Sequence, residues 1–488
     1  MNNVVGAISK IQKTYLSLSI TKKLVLWYTI STIIQNGILF LVTPLYTRLL
    51  TDLEYGIFSV YQSWQMLVSI IAVLALDRCI TVGFMKFEHD RKGFLSSVQL
   101  LMTLTVTFFA FVAFIFSSNV EKLTGLPFYL IASMFVVALM NNAFANWMWF
   151  QRYNYSYKKL AIITTLFTAV IQIISILSVL SFPNANKGEI LILASVIGRV
   201  LLYGILYVGV FSYGRVFYNF KYWIFALGYS IAVVPHALAQ IILHSSDRIM
   251  IDKLCGRADA AYYSVTYTAV MALSVVMMSI SSAIQPWFFE KIKQNDFQSI
   301  SEKTNFFLLF CASLSIMASL LAPEVIAILA PASYSAAVWA FPSIAASVFF
   351  NGMYLCFANF ESYYEKPFYF SIATVTGAVV NIFLNYICIP QFGFIAAGYT
   401  TLICYMIFSK MHYIFMRKVC REKLDGMQVF DIKFIVCLSI IVILLSLGVT
   451  VIYGVPLIRY FLISIGIIVL IIKRHFITKQ IKSILVRK

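Results

Sequence analysis

Inside long apolar stretches this sequence carries a few charged and amide side chains at helical spacing. His236, Gln240, His244 and Arg248 lie four residues apart and so share one helix face. Asp247 sits beside Arg248. Gln35 and Asn36, with Arg48 further on, repeat the theme near the N-terminus. Gln62, Gln65 and the pair Asp77-Arg78 follow, and Arg199 has no acid near it in sequence. Charges at membrane depth are costly and usually face a bundle interior or a wet cavity, so these residues are expected to line a polar cleft. Each has a structural alternative. Asp77-Arg78 and Asp247-Arg248 could be ion pairs or water-exposed helix ends, although neighbours on a helix point about 100° apart; each arginine is therefore expected to answer something other than its neighbour. Arg199 could pair with Asp77 from another helix. His236 and His244 are better read as helix–helix hydrogen bonders than as proton carriers. Asn142 with Asn146, and Asn381 with Asn385, read as interhelical glue first and sugar contacts second.

Bond-making chemistry is not indicated. There is no Walker loop, no GxSxG or HExxH, and no carboxylate pair placed for acid–base work. The eight cysteines are scattered, with no CxxC pair or His/Cys cluster, so neither a metal site nor a disulfide framework is expected.

The elements that must position these residues follow from composition. Of 488 residues, 61% are hydrophobic and 11% charged, against about 25% charged in soluble proteins. The chain is polytopic and all-α. About 20 apolar residues span the hydrocarbon core, which places spans near 24–48, 56–80, 94–117, 126–150, 158–181, 189–212, 222–245, 260–289, 303–322, 337–360, 367–389, 393–415, 430–453 and 456–472, fourteen in all. Pro323 to Ser335 is left as a re-entrant turn or a helix extension. Lysine and arginine concentrate in alternate connections, at Lys86, Arg91, Lys92, Arg152, Lys158, Lys159, Arg215, Lys221, Lys291, Lys293, Lys303 and Lys366. They continue from Lys410 to Lys433 and in the tail of Lys473, Arg474, Lys479, Lys482, Arg487 and Lys488. The positive-inside rule makes that side cytoplasmic and, with Lys10, Lys13, Lys22 and Lys23 before the first span, puts both termini there. The net charge of +18 reflects this bias and attraction to anionic lipid head groups, not nucleic acid. Trp147, Trp149, Tyr153, Tyr155 and Tyr157 read as an interfacial belt.

The segment Arg48–Val60 has an echo about 205 residues on, at Lys253–Val265. Arg48 falls over Lys253, Glu54 over Asp259 and Phe58 over Tyr263; Leu49/Leu254, Ser59/Ser264 and Val60/Val265 are identical, and Asp52 over Arg257 reverses sign. That offset spans six helices, an even number, so the copies share one orientation as parallel repeats. Two six-helix lobes follow, 1–215 and 216–425, with two further helices and a basic tail at 426–488. The first helices of the lobes would line a central cleft between them. Pro44 and Pro235 lie within those helices, where a missing N–H kinks the chain; they are hinge candidates or packing kinks.

Fourteen spans, two lobes, the Pro44-Leu45-Tyr46-Thr47-Arg48 … Glu54-Tyr55-Gly56 junction and Ser246-Asp247-Arg248 … Ala261-Tyr262-Tyr263-Ser264-Val265 together resemble the Wzx-type O-antigen/polysaccharide flippases of the multidrug/oligosaccharidyl-lipid/polysaccharide (MOP) exporter superfamily. Ala260-Ala261 departs from the glycine frequent there, which the first copy has as Gly56. The resemblance implies a transporter, not an enzyme, in the bacterial inner membrane, working beside polymerase and chain-length machinery on undecaprenyl-pyrophosphate-linked repeat units. It gives Arg78 and Arg199 the pyrophosphate, since arginine forks suit phosphate oxygens, with Arg48, Arg248 and Lys253 nearer the outer mouth. Gln35, Asn36, Gln62, Gln65, His236, Gln240 and His244 would line the cleft. No cofactor is implied beyond Na⁺ or H⁺ as coupling ion, with Asp77 and Asp247 the acids to test. Rival readings are a lipid II flippase or multidrug exporter of the same superfamily, and a membrane glycan polymerase or ligase. The last should carry a large outer loop, and every outer connection here is short.

Overall fold

The computed structural model describes residues 20–475 and 478; the basic residues Lys10, Lys13, Lys479, Lys482, Arg487 and Lys488, and with them both termini, lie outside the described residues. The described chain is helical and contains no strand. Its long helices are α1 (Ile20–Leu49), α2 (Asp52–Val73), α3 (Arg91–Ile115), α4 (Phe128–Tyr153), α5 (Tyr157–Ser181), α6 (Lys187–Gly214) and α7 (Phe220–Leu254). They continue with α8 (Arg257–Lys293), α9 (Phe297–Leu320), α10 (Phe341–Tyr363), α11 (Pro367–Phe392), α12 (Ile395–Lys423), α13 (Ile432–Gly448) and α14 (Pro456–Ile472).

Among the described residues twelve helices are long and apolar enough to cross a membrane, as expected of a multi-pass membrane protein. The two that fall short have plain reasons. Helix α14 has 17 residues, and α12 interrupts its apolar run with Thr400, Thr401, Lys410 and His412. Those polar residues prove to be where α12 matters.

Two boundaries differ from expectation. The second span ends at Val73, not near residue 80: Leu74 and Ala75 take left-handed conformations (φ 55° and 51°) that a helix cannot continue through, and Leu76–Arg78 forms a 3₁₀ turn before a short helix, Cys79–Lys86. The Pro323 to Ser335 segment contains its own short helix, Ala322–Leu329, with Pro323 in its first turn, where a missing N–H costs nothing, and then a 3₁₀ stretch, Ala332–Ala340.

The chain divides into two compact units. One comprises residues up to Val42 with Trp64–Val234; the other comprises Thr43–Ser63 with everything from Pro235 onward. The division falls inside α1, α2 and α7, immediately before Pro235 and two residues before Pro44. In the second unit the two copies of the repeated junction touch. Thr51 and Glu54 form a reciprocal capping box, with the Thr51 N–H donating to Glu54 Oε2 (2.8 Å) and the Glu54 N–H to Thr51 Oγ1 (3.3 Å), which starts α2. Gly56 then lies so close to the backbone carbonyl of Arg257 that a Cβ would collide with it. The sign reversal in the repeat also resolves: Asp52 accepts from Tyr262 (2.8 Å) and Ser333 (3.0 Å), whereas Arg257 forks onto Asp252 (2.7 and 3.0 Å).

Candidate functional site: a buried carboxylate and the intramembrane arginines

In the first unit the amides are largely committed to helix–helix contact. Gln35 Nε2 donates to Ser31 Oγ (2.7 Å) and Thr164 Oγ1 (3.1 Å), tying α1 to α5. Asn36 and Asn142 donate to carbonyls of their own helices, at Thr32 and Ala138. Gln65 reaches Ser69 (2.7 Å). Asn146 is fully buried and donates to Gln99 Oε1 (2.6 Å), a partner the sequence did not single out.

Arg78 answers its own neighbour, contrary to expectation. Its Nε lies 3.4 Å from Asp77 Oδ2, and the guanidinium side chain is 52% exposed. The 3₁₀ turn at Leu76–Arg78 sets neighbours about 120° apart, no closer than an α-helix does, and it is the long arginine side chain that reaches back to the carboxylate. Arg199 has a different setting. Midway along α6, its Nη1 donates to the carbonyl (3.0 Å) and hydroxyl (2.8 Å) of Ser195 one turn back. Among the described residues no carboxylate forms an ion pair with it, so most of its five donors remain for other acceptors.

In the second unit Asp247 is nearly fully buried (1% exposed), and among the described residues no cation forms an ion pair with it. Its Oδ1 accepts from Asn381 (3.1 Å) and Asn385 (2.6 Å), and its Oδ2 from Tyr263 (2.6 Å) and Thr401 (2.8 Å). A second layer holds those donors. Ser246 donates to Asn381 Oδ1 (2.8 Å), and Thr400 donates to Asn385 Oδ1. Four helices, α7, α8, α11 and α12, thus converge on one carboxylate. A buried charge met only by neutral donors is expensive; a proton or a small cation bound there would remove that cost. The carboxylate and hydroxyl oxygens suit a hard cation; the asparagines turn Nδ2 to the carboxylate, and would have to turn over to add carbonyl oxygens.

Arg248 turns away from Asp247, as a helical neighbour should. Its guanidinium stacks over the Tyr267 ring at 4.3 Å, and Nη1 approaches the His244 carbonyl at 3.5 Å. His244 Nδ1 is hydrogen-bonded to the Tyr267 hydroxyl (2.8 Å), a helix–helix bond between α7 and α8. Gln62, Gln240 and Lys253 are exposed, and His236 is half-buried. Arg48 is committed to backbone: Nη1 donates to the carbonyls of Pro44 (3.0 Å) and Ile328 (3.1 Å) and Nη2 to that of Ala327 (3.3 Å), while Thr47 donates to Leu329 (2.6 Å). These close the C-terminus of the short helix Ala322–Leu329, where carbonyls lack intrahelical partners.

The sequence singles out Asp247 but not its surroundings. The Asn381/Asn385 spacing reads as interhelical glue, and both amides do bridge helices, by way of a carboxylate. Tyr263 stands in the repeated junction without any sign of its carboxylate partner, and Thr400 and Thr401 carry no signal of their own.

Comparison with known proteins agrees with this architecture. The family model described as polysaccharide biosynthesis protein matches residues 21–292. An uncharacterized membrane protein of Methanocaldococcus jannaschii is 22% identical over 443 residues, 81% of this chain and 84% of the relative. Among solved structures, the lipid II flippase MurJ in an inward closed conformation superposes with a TM-score of 0.66 at 14% identity, covering 93% of this chain and 99% of that one. An inward-facing multidrug resistance MATE family transporter of the MOP superfamily gives 0.57 at 12% identity, over 81% and 96%. At these identities the likeness is one of fold.

Proposed function

Because the chain belongs to the polysaccharide biosynthesis protein family, we propose that it is a flippase for undecaprenyl-pyrophosphate-linked oligosaccharide repeat units. It would carry them from the cytoplasmic to the periplasmic leaflet of a bacterial inner membrane by alternating access, with both termini cytoplasmic, and hand them to polymerase and chain-length machinery. The observation that carries the anionic part of this reading is Arg199, a guanidinium inside a long apolar helix that donates to the carbonyl and hydroxyl of Ser195. Such a fork presents paired donors to a phosphate. Arg78 is a weaker candidate, because Asp77 already offsets part of its charge.

Asp247 is the coupling site in this scheme, and Asp77 is not: Asp247 is enclosed by four donors, whereas Asp77 already has an arginine. Na⁺ and H⁺ both fit a lone buried carboxylate. A membrane potential, inside negative, adds about 2.3 kcal/mol per charge per 100 mV to the outward movement of an anion, less whatever positive charge moves with it.

The test is flipping of an undecaprenyl-pyrophosphate oligosaccharide in proteoliposomes by wild type, Arg199→Ala and Arg78→Ala, with folding checked by size exclusion. Arg199→Ala is expected to lower the rate at least tenfold and Arg78→Ala by less. An unchanged rate in Arg199→Ala would remove that arginine from substrate binding. Wild type that moves no such lipid would overturn the reading. The fold shared with MurJ over 93% of the chain supports lipid II as a second cargo, to be run in the same assay.

A further inference from the structure

A second buried acid lies on α10, away from the Asp247 cluster, and it has a different partner. Glu361 and His412 both have no exposed side-chain surface. Nδ1 of the imidazole lies 2.9 Å from Oε1 and 3.0 Å from Oε2 of the carboxylate. Three rings enclose the imidazole: Phe408 at 4.6 Å, Tyr354 at 5.2 Å and Phe370 at 5.3 Å between centroids. Nε2 of His412 is buried and has no hydrogen-bond partner.

Count the protons. With a neutral imidazole and an ionised carboxylate the pair carries one net negative charge, sealed from water. One added proton makes it neutral as imidazolium with carboxylate, and leaves Nε2–H without an acceptor. An uncompensated buried charge is costlier than one unmade hydrogen bond, so the enclosed pair holds the added proton. A second added proton would leave a net positive charge and is disfavoured for the same reason.

Among the described residues neither Glu361 nor His412 has an ion-pair partner other than the other. From α9, Lys303 lines a neighbouring pocket with Cys356 and Asn359. Lys366, which precedes α11, is paired with Glu422 of α12 (3.1 Å), and Arg417 of α12 donates to the carbonyls of Gly426 and Met427. From α8 come Ser281, Ser282 and Gln285, all neutral, which with Tyr354 and Phe370 line a cavity of about 140 Å³. Two of the rings that close over the imidazole, Tyr354 and Phe370, thus also line this cavity. Swinging Tyr354 or Phe370 aside would bring water to Nε2.

We infer that Glu361 and His412 form a proton-carrying site, separate from the Asp247 cluster, which holds one proton while α10 and α12 are closed on it and releases it when they part. In water at pH 7.5, above the ordinary imidazole value of about 6.5, the exposed pair keeps no added proton. Release passes the proton from Nε2 to a water oxygen and leaves a neutral imidazole. Closure takes it back. The cycle thus moves a proton in step with α10 and α12, and it rests on the transporter reading above.

The experiment pairs a transport readout with one that needs no substrate. Flipping of undecaprenyl-pyrophosphate oligosaccharide is measured with and without an imposed pH gradient in wild type, Glu361→Gln and His412→Gln. The gradient is expected to change the wild-type rate at least fivefold and either variant less than 1.5-fold relative to its own ungraded rate. Variants that respond as wild type does would overturn the proposal, as would a wild type without response. Histidine-selective ¹⁵N NMR of the same proteins in nanodiscs, assigned with His412→Gln, follows protonation directly. His412 is expected to show the imidazolium signature in wild type at pH 7.5 and to lose it in Glu361→Gln. A neutral His412 in wild type at that pH would overturn the proposal. If wild type flips no lipid-linked oligosaccharide, the flippase reading fails and the NMR result alone decides this one.

Discussion

Asp77 and Asp247 are alike in sequence, each an aspartate followed by arginine after an apolar run, and they have opposite fates. Asp247 lies in an unbroken helix, so Arg248 points elsewhere and the carboxylate is met by Tyr263, Asn381, Asn385 and Thr401. Asp77 follows the left-handed pair Leu74-Ala75, neither of them a glycine that would announce the break, and folds back on Arg78. If Asp247 binds Na⁺, 100 mM NaCl in place of choline chloride should raise the melting temperature of wild type by several degrees. Ligand at a hundredfold excess over Kd stabilises by about 2.7 kcal/mol. Asp247→Asn should show no salt-specific rise, and Tyr263→Phe a reduced one. A wild type indifferent to Na⁺ would leave the proton as the ion at that site. Intramembrane charges were legible as residues because charge is rare in apolar runs. Their partners were not, because Thr400, Thr401 and Tyr263 are common membrane residues until a carboxylate from another helix is set beside them.

Helix ends and helix contacts account for other charges that resemble a binding site. The fourteen long helices were readable from apolar length, whereas the capping box at Thr51 and Glu54 was not singled out. The ties between helices were not readable, since they join residues more than a hundred positions apart. Arg459 at the start of α14 is buried and donates to Glu324 Oε2 (2.7 Å) and to the Leu320 carbonyl (3.0 Å), with Tyr460 also on Glu324 (2.9 Å). Truncating it as Arg459→Ala should cost roughly 1–3 kcal/mol, below the 3–5 kcal/mol of a sealed pair, because Glu324 is partly exposed. Thermal unfolding would show the loss, and Arg459→Met with Glu324→Gln should recover part of it. Gly56→Leu should be worse than overpacking in an ordinary core, which costs typically 1–3 kcal/mol, because its side chain would meet the backbone of Arg257. Outside the spans, Asp296 caps α9, and its carboxyl is held below the ordinary range, first by the hydrogen bond from Lys291 (2.6 Å) and then by Ser299. That stabilisation is present above the unfolded aspartate value of about 3.9 and fades as pH falls through the lower folded value. Lys291→Ala should therefore lower the melting temperature slightly at pH 7 and not at all at pH 2.

For the whole molecule, the informative coincidence is between covalent chemistry and compactness. The chain passes from one unit to the other within α1, α2 and α7, and Pro44 and Pro235 sit at the first and last of these passages. Proline inside a helix removes one i to i−4 hydrogen bond and crowds the carbonyl four residues back, at a cost of about 3 kcal/mol or more. Here the carbonyls relieved of a partner belong to Phe40 and Ile231. A helix lacking one rung bends there more readily than elsewhere. Replacement by alanine supplies the missing N–H and stiffens the joint. Pro235→Ala is therefore expected to raise the melting temperature or leave it unchanged, to slow amide exchange over residues 231–240, and to lower flipping about tenfold. The Na⁺-dependent stabilisation of Asp247 should survive, because that site lies three turns further along α7. Pro44→Ala should act in the same direction over residues 40–48. Loss of stability in both variants, with flipping per folded molecule unchanged, would make the prolines packing kinks and move the hinge elsewhere in α1, α2 or α7.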